Sequence, residues 1–350
     1  MKKLLLFTTV VLVATTTSFA QTTAIPDPNF EQELINLGYD IGAPNGTVPT
    51  ANINTVTSLD LSNNLNGLNI ADLTGIEDFI ALTYLNCYNN QLTNLNVNNN
   101  TSLTSLNCGF NQLTNLDVSN NTALTYLNCY NNQILSLDIS NNIFLTSLSC
   151  NTNQLTSLDV SFNTALSDLR CYANPISTLD VSFNTSLTML QCWSNQLTTL
   201  DLSNNINLQQ LYCNSNQLTD LNLSNNTSLY YLYCGINNLL TLDVKNGNNT
   251  NITNFNCTNN QNLTCITVDD DVYSTANWTN IDPQHYFSTN CSSNCTQTTS
   301  IPDANFEAYL ETHDASGNTS TWPNTMGDGV VNNGEVCTAN INTVTYLDVS

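Results

Sequence analysis

The sequence predicts a predominantly β fold, a solenoid of parallel coils with two short strands per turn, closed by a short N-terminal helical cap and a C-terminal cap. Three observations carry this. Between residues 82 and 251 one 21-residue unit is written eight times, starting at Leu82, Leu103, Leu124, Leu145, Leu166, Leu187, Leu208 and Leu229, and a fixed period of this length marks stacked coils. Each unit has Leu at its first and fourth positions, Cys at the sixth, Asn at the ninth and Leu or Ile at the eleventh, followed by a triplet of the Leu-Asp-Val kind. Within a unit Leu85 and Cys87 alternate with Tyr84, Asn86 and Tyr88, and Leu95 and Val97 repeat that alternation. Alternation of this kind gives a strand with one buried face. Two short strands leave no room for a long helix, so adjacent coils should lie ~4.8 Å apart.

In chain order, residues 1–20 read as an export signal: basic Lys2-Lys3, an apolar run from Leu4 to Ala14, and small residues Ser18 and Ala20 around the cleavage point. The run is short for a membrane span, and no later stretch is long enough. Residues 21–55 form the N-terminal cap. There Asp27 is placed to cap a helix, Pro28 fits its first position, Phe30, Leu34 and Leu37 share a face, and Gly38 stops it. The array runs over 56–262, opening with the strand Val56 to Leu61 and loosening after Lys245 before Phe255-Asn256-Cys257. Residues 263–296 leave the repeat pattern, and Leu263, Ile266, Val268, Tyr273, Trp278, Ile281 and Phe287 supply the core of a C-terminal cap. Residues 297–350 repeat the beginning: Ile301 to Phe306 echoes Ile25 to Phe30, and Ala339 to Thr345 duplicates Ala51 to Thr57. The chain thus reads as part of a longer tandem protein.

The unit Leu-Thr-Tyr-Leu-Asn-Cys-Tyr-Asn-Asn-Gln-Leu-Thr-Asn-Leu-Asn-Val, from Leu82 to Val97, resembles a bacterial leucine-rich repeat. More narrowly it is similar to the 21-residue IRREKO class, in which Cys often replaces a strand Leu. The resemblance covers about residues 56 to 262. It implies a curved binding scaffold on a bacterial exterior, secreted or at the cell surface, without naming a ligand. Relatives of this type often end in a sorting domain for type IX secretion.

The periodic columns divide into structural and functional candidates. Cys87, Cys108, Cys129, Cys150, Cys171, Cys192, Cys213, Cys234 and Cys257 share one inward position. They read as small hydrophobes in a dry core, the alternative being a metal or redox ladder. Cys265 and Cys291 are candidates for a disulfide across the C-terminal cap, with Cys295 or Cys337 left over. Asn90, Asn111, Asn132, Asn153, Asn174, Asn195, Asn216 and Asn237 are suited to satisfying backbone groups where each coil turns. Asp117, Asp138, Asp159, Asp180 and Asp201 form a carboxylate column flanked by Asn96 and Asn222. Stacked like charges need solvent, turn donors or bridging cations, and structural calcium is one such cation. The window from Asn324 to Glu335 resembles an EF-hand loop only in part, because Met326 stands where an oxygen ligand belongs, and it reads as a polar loop.

The outward first-strand positions vary from coil to coil. Asp168, Arg170, Tyr172, Met189, Gln191, Trp193, Gln210, Tyr212, Tyr231 and Tyr233 form the candidate binding face, with Tyr84, Tyr88, Tyr126 and Tyr130 before them. Aromatic rings offer rigid contact area with polar handles, so the face suits a protein or carbohydrate ligand. The plain alternative is that Tyr and Trp merely favour strands. Charge narrows the partners. The chain carries 4 cations against 27 carboxylates, and removing Lys2 and Lys3 leaves −25, a surface that repels nucleic acid and anionic lipid. His285 and His313 sit outside the array, and no nucleophile has a base beside it in sequence. The expected function is a non-catalytic scaffold for protein or glycan recognition. A tandem surface spacer is the structural rival, and a polysaccharide lyase using the Asp column, calcium and Arg170 is the enzymatic one.

Overall fold

The computed structural model describes residues 21–62, 68–291, 298–300, 306, 310 and 335–337. The export signal, Cys295, His313 and the 324–335 window except its last residue lie outside the described residues. Of the repeated beginning, the strands Thr298–Ser300 and Glu335–Cys337 are described. They pair antiparallel, as Thr22–Ala24 pairs with Thr47–Pro49 at the start.

Helix α1, Pro28–Asn36, is built by its N-cap. One oxygen of Asp27 accepts from the N–H groups of Asn29 and Phe30 at 2.8 and 3.1 Å, the usual way to satisfy the orphan donors of a first turn. The other oxygen accepts from Ala71 and Asp72 at 2.7 and 3.0 Å. A single carboxylate therefore caps the helix and fastens it to the first coil. Phe30 and Leu34 are buried, and Phe30 packs on Phe79 with ring centroids 6.4 Å apart. Leu37, expected on the same face, is 44 % exposed. It is the C-cap residue, and the chain turns away at Gly38, whose φ is +83°.

Ten parallel strands form the first sheet in strict sequence order, from Ser58–Asp60 through Tyr84–Asn86, Ser105–Asn107 and so on to Asn254–Asn256. Leu85 lies opposite Leu106, Leu106 opposite Leu127, and so on to Leu232, because each of these coils spends 21 residues before returning. The longer first and last returns still bring Leu59 opposite Leu85 and Leu232 opposite Phe255. The buried stripe follows the spacing. Leu82, Leu85, Cys87, Leu92, Leu95 and Val97 of the first unit are all buried, and their counterparts repeat this. The nine thiols from Cys87 to Cys257 are free and buried. Burial pushes those of Cys87, Cys129 and Cys171 up to about 12, which makes them poor nucleophiles.

The second strand is less uniform than the alternation predicts. Asp220–Asn222, Thr241–Asp243, Cys265–Thr267 and Tyr286–Ser288 form a parallel four-stranded sheet. Earlier on this side the described residues hold one isolated bridge, Asn96 to Asp117. Leu116, Leu137, Leu158, Leu179 and Leu200 are nevertheless buried, so the segment keeps its inward face without pairing to its neighbours.

Two asparagine columns hold the turns. Asn111 donates from Nδ2 to the carbonyls of Cys87 and Cys108 at 3.0 and 3.1 Å, and its Oδ1 accepts from Leu92 N–H at 3.0 Å. The same pattern recurs at Asn132, Asn153, Asn174, Asn195, Asn216 and Asn237. A second column escaped the sequence reading. Asn100, Asn121, Asn142, Asn163, Asn184, Asn205 and Asn226 are fully buried, and Asn121 donates to the carbonyls of Val97 and Asn100, both at 2.9 Å. Each column ties one coil to the next: the first through the cysteine carbonyls, the second through carbonyls that also accept a backbone N–H, as Val97 does from Asn100 and Asn100 from Leu103, both at 3.0 Å.

At the C-terminal end coil geometry outlasts the repeat sequence, because the second sheet continues through residues 265–267 and 286–288. Trp278, following helix α2 of the cap at Asp271–Asn277, stacks on Phe255 at 4.3 Å and donates to the Ile252 carbonyl at 3.1 Å. Leu263, Ile266, Val268 and Phe287 are buried with it, whereas Tyr273 is half-exposed and donates to Thr250. Cys265 and Cys291 are joined by a disulfide.

Candidate binding face

On each first strand two inward side chains alternate with three outward positions, and the outward columns are where units differ. All ten candidate residues from Asp168 to Tyr233 are half-buried: they pack on one another while keeping part of their surface in solvent. Tyr172 and Trp193, on neighbouring coils, stack face to face with centroids 4.1 Å apart and planes at 12°. One coil further, Tyr212, Tyr231 and Tyr233 form a three-ring cluster with centroids 4.7, 5.7 and 4.9 Å apart. Contact with Tyr231 and burial raise the pKa of Tyr233. Gln191 lies against the sulfur of Met189 at 3.6 Å, and Gln210 donates to the hydroxyl of Tyr230. The face therefore offers ordered rings and polar tips on four adjacent coils.

Arg170 is held by Asp168 two residues before it, both projecting from the same side of one strand. Nε donates to Oδ1 at 3.1 Å and Nη2 to Oδ2 at 2.8 Å. This two-point contact is the main reason the guanidinium pKa is raised further. The pair spends its charge on itself.

A second aromatic group lies earlier on the array. Tyr88 and Tyr130, two coils apart, approach to 6.0 Å, and Phe110 packs edge-on against them at 5.8 and 5.7 Å. Gly109 makes this approach feasible, since a Cβ there would meet the Tyr130 ring at 2.7 Å. The sequence signal was available in the gap that Gly109 leaves in the outward column.

The Asp column stands on the second segment, away from Arg170 on the first strand, so the structure does not assemble the two halves of a lyase site. Each carboxylate is engaged by the serine two residues on. Asp117 accepts from the N–H and hydroxyl of Ser119 at 3.0 and 2.6 Å, and Asp138 from those of Ser140 at 3.0 and 2.7 Å. These serine hydrogen bonds hold the carboxyls of Asp117, Asp138, Asp159, Asp180 and Asp201 below their usual range. Among the described residues no three His, Cys, Asp or Glu side chains converge to hold a metal ion. The column thus supplies single carboxylates in a row, and the calcium expectation finds no cage there.

His285 packs inside the C-terminal cap. Its Nδ1 lies 3.5 Å from the Cys257 sulfur and accepts from Asp282 N–H at 3.2 Å, and Nε2 is 3.2 Å from the Asn260 carbonyl. These contacts close the end of the cysteine column. Among the described residues no helix is long and apolar enough to cross a membrane.

No protein-family model matches the chain, and no curated protein sequence does. Among solved structures it is similar to the functional domain of InlJ from Listeria monocytogenes, which is described as including a cysteine ladder. The two are 37 % identical with a TM-score of 0.65, over 78 % of this chain and 62 % of that one. This chain therefore spans less than two thirds of that structure's length. An internalin, InlF, from the same organism follows at 23 % identity and TM-score 0.46, over 74 % and 95 % of the two chains. A leucine-rich repeat protein of Leptospira interrogans gives 19 % and 0.47, over 68 % and 73 %. The fold is a leucine-rich repeat solenoid, similar to the cysteine-ladder domain of InlJ.

Proposed function

We propose that this chain is an exported, non-catalytic recognition scaffold of the IRREKO-like class. It works at or beyond a bacterial cell surface and holds a protein or glycan ligand on its first-strand face between Asp168 and Tyr233. The observation that carries this is the run of packed, half-exposed rings from Tyr172 to Tyr233 on four adjacent strands. A hydrogen-bonded sheet fixes their positions in advance, so little side-chain freedom is lost on binding. Large aromatic side chains are also the ones that dominate contact energy when a partner covers them. Catalysis lacks an accessible arrangement: Arg170 is closed by Asp168, and His285, although it lies 3.5 Å from both the Cys257 sulfur and the Asp282 carboxylate, is buried with that thiol inside the cap.

The test is binding of the full chain to surface-glycan and envelope-protein arrays beside a Trp193→Ala, Tyr212→Ala, Tyr233→Ala variant of unchanged melting behaviour. Binding lost in the variant is expected. Binding retained would move the site off this face, and no binding by either protein would favour the spacer.

A further inference from the structure

We infer that the occupant of the first-strand face is a cationic protein segment anchored by an aromatic or aliphatic side chain, not a polysaccharide. The inference rests on the recognition reading above and narrows it. Three features of the face select among ligand chemistries.

The first is ring orientation. A sugar binds an aromatic side chain by laying its C–H face over an open ring face. Here the faces of Tyr172 and Trp193 cover each other at 4.1 Å, and the three tyrosines of the next coils pack mutually within 5.7 Å. The one uncovered face of Tyr172 and of Trp193 looks along the array, toward the positions of Asn151 and Asn214 one coil on, so a partner approaching the sheet meets mainly ring edges and polar tips. Such edges meet another aromatic ring or an aliphatic side chain favourably, and the tips hydrogen-bond peptide groups.

The second feature is the closed guanidinium. A uronate or sulfated glycan is gripped by a free cation, and both arms of Arg170 that contact Asp168 are already satisfied at 3.1 and 2.8 Å. The third is the field. The chain carries a net charge of −23. Within the coils from Leu82 to Asn251, Asp168 is the one carboxylate on a first strand, and the others stand on the second-segment side. A partner on the neutral face therefore buries few carboxylates, while the field of the whole molecule draws a positive partner and repels a second copy of this chain.

The experiment presents the full chain to an array of random peptides spanning both signs of net charge, beside neutral, uronate and sulfated polysaccharides. The expected binders are positively charged peptides carrying Tyr, Trp, Phe or Leu, with affinity falling about tenfold between ~0.05 M and ~0.5 M salt. The triple alanine variant should lose them. Asp168→Asn frees the guanidinium without touching a ring, and it should lower the mean charge of the peptides selected. Polysaccharide bound by the parent and lost in the triple variant would overturn the inference and leave the recognition face standing. Neutral or acidic peptides selected at this face, or indifference to Asp168→Asn, would overturn the inference as well. Peptides held equally by parent and triple variant, or no binding at all, would sink both readings.

Discussion

The two sides of each coil have the same period and the same burial, yet they pair differently. The first-strand side is an unbroken ten-stranded sheet, whereas the second-segment side pairs at one end and in one early bridge. The residues facing each other across neighbouring coils account for much of this. In the third position of the second segment the column runs Asn96, Asp117, Asp138, Asp159, Asp180, Asp201, Asn222, Asp243, Thr267, Ser288. Pairing occurs at Asn96–Asp117, Asn222–Asp243, Asp243–Thr267 and Thr267–Ser288. It is missing at each of the four places where two carboxylates would face each other. Like charges directly opposite destabilise a ladder; open grooves lined by Asp117 with Asp138 and by Asp159 with Asp180 run along this side, as one does beside the paired strands at Asp220 and Asp243. Asp201 beside Asn222 is also unpaired, so the interruption runs one coil past the charges. A leucine-rich coil thus needs only one paired side, and the other is free to carry charge.

The strongest way to break the comparison is to place a charge on the side that cannot carry one. Cys171→Asp puts a carboxylate at an inward first-strand position that is wholly buried. Destabilisation of about 4 kcal/mol or more is expected, with loss of cooperative unfolding in denaturant. Cys171→Ala should keep a single transition. Unchanged stability in the Asp variant would mean that the cysteine column does not face inward.

Acid tests the opposite side. The Asp column has folded pKa values lowered chiefly by serine hydrogen bonds. Its contribution is therefore complete above the unfolded carboxylate value of about 4 and is lost as pH falls through the folded values. Replacing Asp159 by Asn sharpens the point, because Asp138 and Asp180 on either side both oppose its charge, and Asn222 shows that an amide oxygen still accepts from the serine N–H at 2.9 Å. A fall in Tm of no more than about 2 °C at neutral pH, absent once acid has protonated the parent carboxyl, is expected, because the Ser161 hydrogen bonds outweigh the two opposing carboxylates in the folded protein. A rise in Tm at low salt, shrinking at high salt, would show that the repulsion outweighs the serine bonds.

This pattern marks what was legible beforehand. The inward columns were plain because Leu, Cys and Val recur at alternate positions, and Asp27-Pro28 announced a helix start through its own capping chemistry. Alternation reports which side chains point inward, not whether the backbone pairs with the next coil. The second strand was therefore expected on every turn and paired on few. Asn100 and its successors are as periodic as Asn90 and its successors, but a polar residue before a Thr or Ile turn gives no sign of being buried. A left-handed column was hidden for a different reason. Asn89, Phe110, Thr152, Ala173 and Ile236 all have φ between 53° and 58°, and their side chains share no property. Register puts Tyr172 beside Trp193, but it does not state ring orientation, which decides between stacking and edge contact.

The smallest effect belongs to the most conspicuous charge on the aromatic face. Arg170→Ala removes both hydrogen bonds to Asp168, but the partners' side chains are 42 % and 26 % exposed, so water can replace the lost contact. Surface pairs of this kind contribute about 0–1 kcal/mol, and the Tm should move by no more than about 2 °C. Binding should respond differently, because Asp168 then stands uncompensated beside Tyr172 and the attraction for a cationic partner rises. A large loss of Tm would assign the pair to the scaffold. An unchanged Tm with tighter binding at low salt would assign it to the face, and would show that this side of the coil is tuned by single charges that the packed core does not feel.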